Sequence, residues 1–503
     1  MTDSIGQLRE RMAALMDLRT INQLLEWDQQ TMMPPRGVRT RAESLATLQR
    51  IRHEMFVSDE VGRLLDAADA EINGQGPDSD DAALIRVTRR RWEKARRVPS
   101  ELAAELARAS SVGQKEWVAA RANSDFASFI PNLERNYELA RRYVDCFDGY
   151  DCAYDVLLDD YEPGMKTTEV ASLFSELKSE LTPMIAAISA NADRVDDSAL
   201  HGSFPIDQQR RLTLEVIERM GFDRAAWRID DAVHPFASGL GSQDVRITTR
   251  WEESYFASSL YGSMHECGHG LYEAGVDKKL QRTPLGFGES LALHESQSRM
   301  WENMVGRSRQ FCNVLAPTVA RIFGGASADL DRDTLYRAVN KISPSFIRVE
   351  ADELTYGLHI VLRFELEQEL IEGRLKVADL PEAWNARFKE YLGLDVPDDA
   401  RGVLQDVHWA SGLVGYFPTY ALGNLIAGQL WRQAHADLPD LDDQLEAGEL
   451  AGLREWLREN VHRYGSKYSS RELLQRVVGG PIEVAPFVDY LKLKLGAVYE
   501  LDF

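Results

Sequence analysis

Trp251-Glu252-Glu253-Ser254-Tyr255-Phe256-Ala257-Ser258-Ser259-Leu260-Tyr261-Gly262-Ser263-Met264-His265-Glu266-Cys267-Gly268-His269 is the most telling stretch of this chain. It contains no proline and spaces apolar residues at helical intervals, onward through Leu271 and Tyr272, until Gly275 offers a stop. Within it, His265 to His269 form an H-E-x-x-H run. On a helix, residues four apart lie about one turn apart, so both imidazoles can address one metal ion. Glu266 follows His265 by roughly 100° around the axis, within reach of a water held by that ion. Zinc bound by two histidines and a carboxylate keeps a fourth position open and lowers the pKa of its water to about 7. A neighbouring glutamate can then take the proton as hydroxide attacks a carbonyl, so the run points to metal-assisted peptide hydrolysis. A surface helix with paired histidines and no metal is the bland alternative, and the continuous helical context favours the catalytic reading. Cys267 lies about 160° around the axis from His269 and reads as packing.

Composition bounds the rest. The chain has 503 residues, 44% of them hydrophobic and 27% charged, as expected of a soluble globular protein. Its formal charge of −22 argues against nucleic acid or anionic membrane as a partner. One basic stretch, Arg86 to Arg97, is interleaved with Glu93, Ile85, Val87 and Trp92, and reads as the solvated face of a helix. Four cysteines without C-x-x-C pairing fit a reducing compartment. The N-terminus lacks the basic-then-apolar order of a signal peptide, and no apolar run is long enough to span a bilayer. A cytoplasmic location is expected.

Helical periodicity dominates elsewhere. Leu8–Trp27, Arg41–Arg63, the basic stretch, a helix opening at Pro99-Ser100-Glu101, and residues 129–147, 168–191 and 208–220 all read as helices. Residues 227–250 are less helical, and Val245 to Thr249 alternate like a strand. Helical patterns then run to the C-terminus. With no repeat and no convincing linker, the simplest expectation is one mainly α-helical catalytic domain over 1–503. It would have an N-terminal helical part to about 200, a metal-site and C-terminal part after it, a small β element near the metal site, and a deep groove as active site.

A zinc held by two histidines needs another protein ligand. The helix-like segment after Pro284, Gly286 and Gly288 offers Glu289, His294, Glu295 and Glu302, and spacing does not choose among them.

Five motifs in order give the chain a resemblance to the M32 metallocarboxypeptidases of the carboxypeptidase Taq type. They are Asp244-Val245-Arg246-Ile247-Thr248, His265-Glu266-Cys267-Gly268-His269, His294-Glu295-Ser296-Gln297, Ile347-Arg348-Val349-Glu350-Ala351-Asp352, and Gly402-Val403-Leu404-Gln405-Asp406-Val407-His408-Trp409. Leu25 to Pro35 also looks like that family's opening segment. The resemblance implies a large helical gluzincin-type unit with His265, His269 and Glu295 as ligands and Glu266 as catalytic base. It also implies a homodimer, zinc or cobalt as the metal, and broad C-terminal exopeptidase activity.

An exopeptidase must recognise a free α-carboxylate, which suits an arginine fork. Arg348 is the first candidate, with Arg246 and Arg401 as rivals; a structural salt bridge is the alternative for each. His234, His408 and Tyr420 are candidate oxyanion donors. Asp352 and Asp406 are candidates for orienting a ligand or an arginine from behind. Oligoendopeptidases and dipeptidyl carboxypeptidases share the same metal pattern and are the nearest alternatives. A non-catalytic peptide-binding protein would have lost Glu266 or a ligand, and neither is lost here.

Overall fold

The structure, a computed structural model, describes residues 3–288 and 290–503. It is mainly α-helical, with twenty α-helices and one three-stranded sheet among the described residues. None of these helices is long and apolar enough to cross a membrane.

The chain forms two compact units. The first comprises Met1–Arg96, Asp197–Val339 and Leu430–Pro481; the second comprises Arg97–Asp196, Asn340–Gln429 and Ile482–Phe503.

In the first unit, the opening helix Ser4–Thr31 buries Leu8, Met12 and Leu15, a stripe at helical spacing, against Val61, Leu65 and Ala68. Val276, Leu280 and Leu285 join the same core and tie the chain just beyond the H-E-x-x-H helix to it. The expected single helix over 41–63 is in fact two, Val38–Phe56 and Asp59–Glu71. Ser58 breaks it: its backbone is extended, and Asp59 and Glu60 then place negative charge in the first turn of a new helix. The basic stretch forms helix Asp80–Arg97. Arg89 pairs with Asp66 at 2.8 Å and Arg96 with Asp59 at 2.9 Å, so these arginines serve helix packing.

Strands β1 (Trp227–Asp231), β2 (Ala237–Gly241) and β3 (Asp244–Thr249) form a sheet in the order β1-β3-β2. β1 runs parallel to β3 and β2 antiparallel to it. The sheet packs directly on helix Phe256–Gly275. Ser263 Oγ donates to Thr249 Oγ1 at 2.9 Å, and Thr249 Oγ1 to the Ser259 carbonyl at 3.3 Å. Gly270 makes the fit possible, because a Cβ there would lie 2.5 Å from the Trp227 ring and 2.9 Å from Val245.

In the second unit, helix Tyr356–Ile371 is buried along nearly its whole length. Thr355, His359, Arg363 and Glu367, spaced four apart on one face, are all fully buried. A buried carboxylate requires partners. Glu367 accepts hydrogen bonds from Tyr154 Oη (2.6 Å), Trp409 Nε1 (2.7 Å) and the Gly415 amide (3.1 Å).

Candidate metal centre

Helix Phe256–Gly275 presents His265, Glu266 and His269, and helix Leu291–Arg299 presents Glu295. Gly268 lets the two helices meet at the height of the motif. A Cβ there would lie 2.7 Å from Ser298 Cα and 2.9 Å from the Gln297 carbonyl oxygen, contacts with backbone that cannot swing away. As a result His265 Nε2 and His269 Nε2 stand 3.7 and 3.4 Å from Glu295 Oε2. One ligand atom from each of the three residues falls within 4.8 Å of the others. A tetrahedral ion with bonds of about 2.1 Å spaces its ligands roughly 3.4 Å apart. The donor set and its spacing therefore fit a zinc-like ion.

Both histidines of the cluster are held from behind. His265 Nδ1 lies 2.9 Å from Glu302 Oε2. Glu302 sits in a π-helical turn, Met300–Val305, that continues the Glu295 helix. His269 Nδ1 lies 2.6 Å from His294 Nδ1, and His294 Nε2 lies 2.8 Å from Glu273 Oε1. Arg299 binds both glutamates of the second helix, donating from Nε to Glu295 Oε1 at 2.7 Å and from Nη1 to Glu302 Oε2 at 3.4 Å. Of the four candidate third ligands, Glu295 alone joins the cluster of ligand atoms, while His294 and Glu302 contact the far nitrogens of the two histidines. Glu289 lies outside the described residues.

Electrostatics suit cation binding. Burial opposes ionisation of Glu295, yet Arg299 and the two histidines hold its carboxyl well below the usual range. Burial lowers His269 to about 4 against the pull of Glu295, leaving its ring free to donate a lone pair. Burial also dominates at Glu266, raising it to about 7, with His265 opposing and Glu295 and Glu302 reinforcing. Glu266 is only 7% exposed. A carboxyl poised near neutrality suits a group that must accept a proton and return it. Cys267 is fully buried and burial pushes its thiol up, in keeping with packing.

Other sequence candidates lie in the second unit. Arg348 donates from Nε and Nη2 to Asp406 Oδ1 (3.1 and 2.8 Å), and from Nη1 to Tyr356 Oη (2.9 Å). Arg363 Nε approaches Asp406 Oδ2 from the other side at 2.8 Å. The two guanidinium groups overcome the effect of burial and hold the Asp406 carboxyl far below its usual range. Tyr420 lies under the Arg348 guanidinium, 4.8 Å from ring centre to Cζ, with its hydroxyl 3.3 Å from His408 Nε2. Burial lowers His408 to about 4, against the pull of Asp406. Asp352 accepts from the amides of Ser343, Leu354 and Thr355, capping the turn into helix Tyr356–Ile371.

The remaining arginine candidates have other partners. Arg246 is bound by its neighbour Asp244 at 3.0 Å and stacks on Trp27. Arg401 is half exposed and clamps Asp398. His234 is exposed between β1 and β2.

Sequence reasoning misses Glu273, Arg299, Arg307 and Arg363. The first two carry a usable signal, each standing four residues after a metal-site residue on its own helix. Arg363 has none: it meets Asp406 across 43 positions of chain.

A helical fold with an H-E-x-x-H helix completed by a glutamate from a following helix defines a metallopeptidase. The chain belongs to the M32 family, whose model, carboxypeptidase Taq (M32) metallopeptidase, matches residues 7–495. It is a metallocarboxypeptidase. Thermostable carboxypeptidase 1 of Thermus thermophilus is 41% identical over 96% of both chains, and carboxypeptidase 1 of Bacillus subtilis 36% over 95% of both. Among solved structures, the M32 carboxypeptidase of Deinococcus radiodurans R1 superposes with a TM-score of 0.96 at 37% identity, over 99% of this chain and 100% of that one. The Pyrococcus furiosus carboxypeptidase gives 0.94 at 33%, over 98% and 99%.

Proposed function

We propose that the enzyme removes single amino acids from the C-terminus of peptides with broad specificity, using Glu266 as general base. The observation that carries this reading is the His265, His269, Glu295 cluster with the buried Glu266 beside its first histidine, in a chain of the M32 carboxypeptidase family. Held by those three residues, a divalent ion (Zn²⁺ first, Co²⁺ second) would supply a Lewis acid and ease deprotonation of water. Glu266 takes the proton as the water attacks and returns it to the leaving amine. His234, His408 and Tyr420 are the proposed donors to the developing oxyanion.

Arg348 is the proposed receptor for the substrate's α-carboxylate. Its guanidinium donates to Asp406 from Nε and Nη2 and to Tyr356 from Nη1, so each Nη keeps a further N–H for a substrate carboxylate. Asp406 and Arg363 orient it from behind. A cytoplasmic homodimer completes the proposal, and sedimentation of the purified chain tests the dimer.

Digestion of an unblocked peptide and its C-terminally amidated twin, followed by mass spectrometry, tests the direction of cleavage. Stepwise loss of single residues, suppressed by amidation, is expected. Internal cuts or dipeptide release would assign the enzyme to the oligoendopeptidase or dipeptidyl carboxypeptidase alternative.

A further inference from the structure

We propose that His294 and Glu273 form a positioning relay that fixes His269 in its metal-binding tautomer, and so sets the affinity of the site. The proposal rests on the reading of His269 as a ligand. A metal on Nε2 requires the lone pair there, so Nδ1 of His269 must carry its hydrogen. That hydrogen points at His294 Nδ1, 2.6 Å away, which therefore accepts. His294 then carries its own hydrogen on Nε2 and donates it to Glu273 Oε1 at 2.8 Å. Each partner has one consistent role, and the direction of the file is set by the carboxylate at its end.

The file is built to stay in place. Tyr272 packs against the His294 ring, with centroids 5.0 Å apart. A Cβ on Gly288 would collide with His294 Cδ2 at 2.8 Å, and a Cβ on Gly239 with Glu273 Cβ at 2.8 Å. The Glu273 carboxylate also receives the Gly288 amide at 3.5 Å. Both relay residues lie outside the H-E-x-x-H pattern: Glu273 stands four after His269, and His294 immediately before Glu295.

The test is a Zn²⁺ competition titration of wild type, His269→Ala, His294→Phe, His294→Gln, Glu273→Ala and the His294→Phe/Glu273→Ala double variant. Thermal unfolding of each metal-free form runs alongside. Phenylalanine keeps the ring and removes both nitrogens, so Zn²⁺ should bind about 10–100-fold more weakly. Glutamine can accept from His269 and donate to Glu273, so it should recover most of the loss. Glu273→Ala should weaken binding less than His294→Phe, and the double variant should be no weaker than His294→Phe alone, because the file is already broken. A purely structural role would instead give additive losses and ignore the glutamine rescue. If His269→Ala weakens binding while His294→Phe and Glu273→Ala bind as wild type, the relay is overturned and the ligand reading stands. If His269→Ala itself binds as wild type, the ligand reading fails. Should His294→Phe not fold, wild-type affinity in Glu273→Ala still overturns the relay.

Discussion

Nδ1 of His265 lies 2.9 Å from Oε2 of Glu302, seven residues beyond Glu295 on the same continuous helical segment. The two histidines of the cluster are thus backed differently, His265 by a carboxylate and His269 by another imidazole. Glu302 is in turn balanced by Arg299 and, at 3.5 Å, by Arg307. Burial opposes its charge, and His265 and these arginines restore it, holding the carboxyl below its usual range.

Glu302→Gln keeps an acceptor for the His265 ring but removes the charge. Zn²⁺ affinity should fall about 10-fold or more, and activity should recover when metal is supplied in excess. Competition titration with a chromophoric chelator reads the first effect, and rate against free Zn²⁺ reads the second. An unchanged dissociation constant would contradict the role given to Glu302.

Gly268→Ala places a methyl group against the Ser298 backbone at 2.7 Å. The helices must part, costing about 1–3 kcal/mol by overpacking. The same parting moves Glu295 away from the histidines. A lowered melting temperature together with weakened metal binding is expected; a wild-type metal affinity in the folded variant would show that the close approach does not set the site.

Glu367, in the second unit, gives a pH signature of its own. Burial raises its carboxyl from 4.5 to about 7, against hydrogen bonds from Tyr154, Trp409 and Gly415 that favour the charged form. The folded pKa exceeds the unfolded one, so the native state keeps a proton that the unfolded chain releases. Stability from this group is full below pH 4.5 and declines as pH rises through 7, by on the order of 3 kcal/mol. The amide of Glu367→Gln cannot ionise. The stability of wild type relative to that variant, from denaturant unfolding, should therefore fall across this window and level off above it. A pH-independent difference would contradict the raised pKa.

These particulars show what the sequence could carry. The H-E-x-x-H helix and the strand over Val245–Thr249 are legible because local periodicity alone dictates them. The third ligand is not. His294 and Glu295 are neighbours pointing about 100° apart, and which one reaches the Nε2 side of the histidines depends on how the two helices approach at Gly268. Periodicity expresses the face of one helix, and the contact belongs to two. The break at Ser58 was within reach, since Ser58-Asp59-Glu60 reads as a helix start, but the apolar pattern runs across it. Arg348 and Asp406 are legible as motif members, whereas the second arginine on Asp406 is a tertiary fact with no local trace.

The most direct test is Glu266→Gln, assayed for both metal content and peptide hydrolysis on the same preparation. The variant should fold and bind one Zn²⁺ through His265, His269 and Glu295. Its turnover should fall at least about 10²–10⁴-fold, the scale of a lost general base. A metal-loaded Glu266→Gln enzyme that hydrolyses peptides at the wild-type rate would contradict the general-base role.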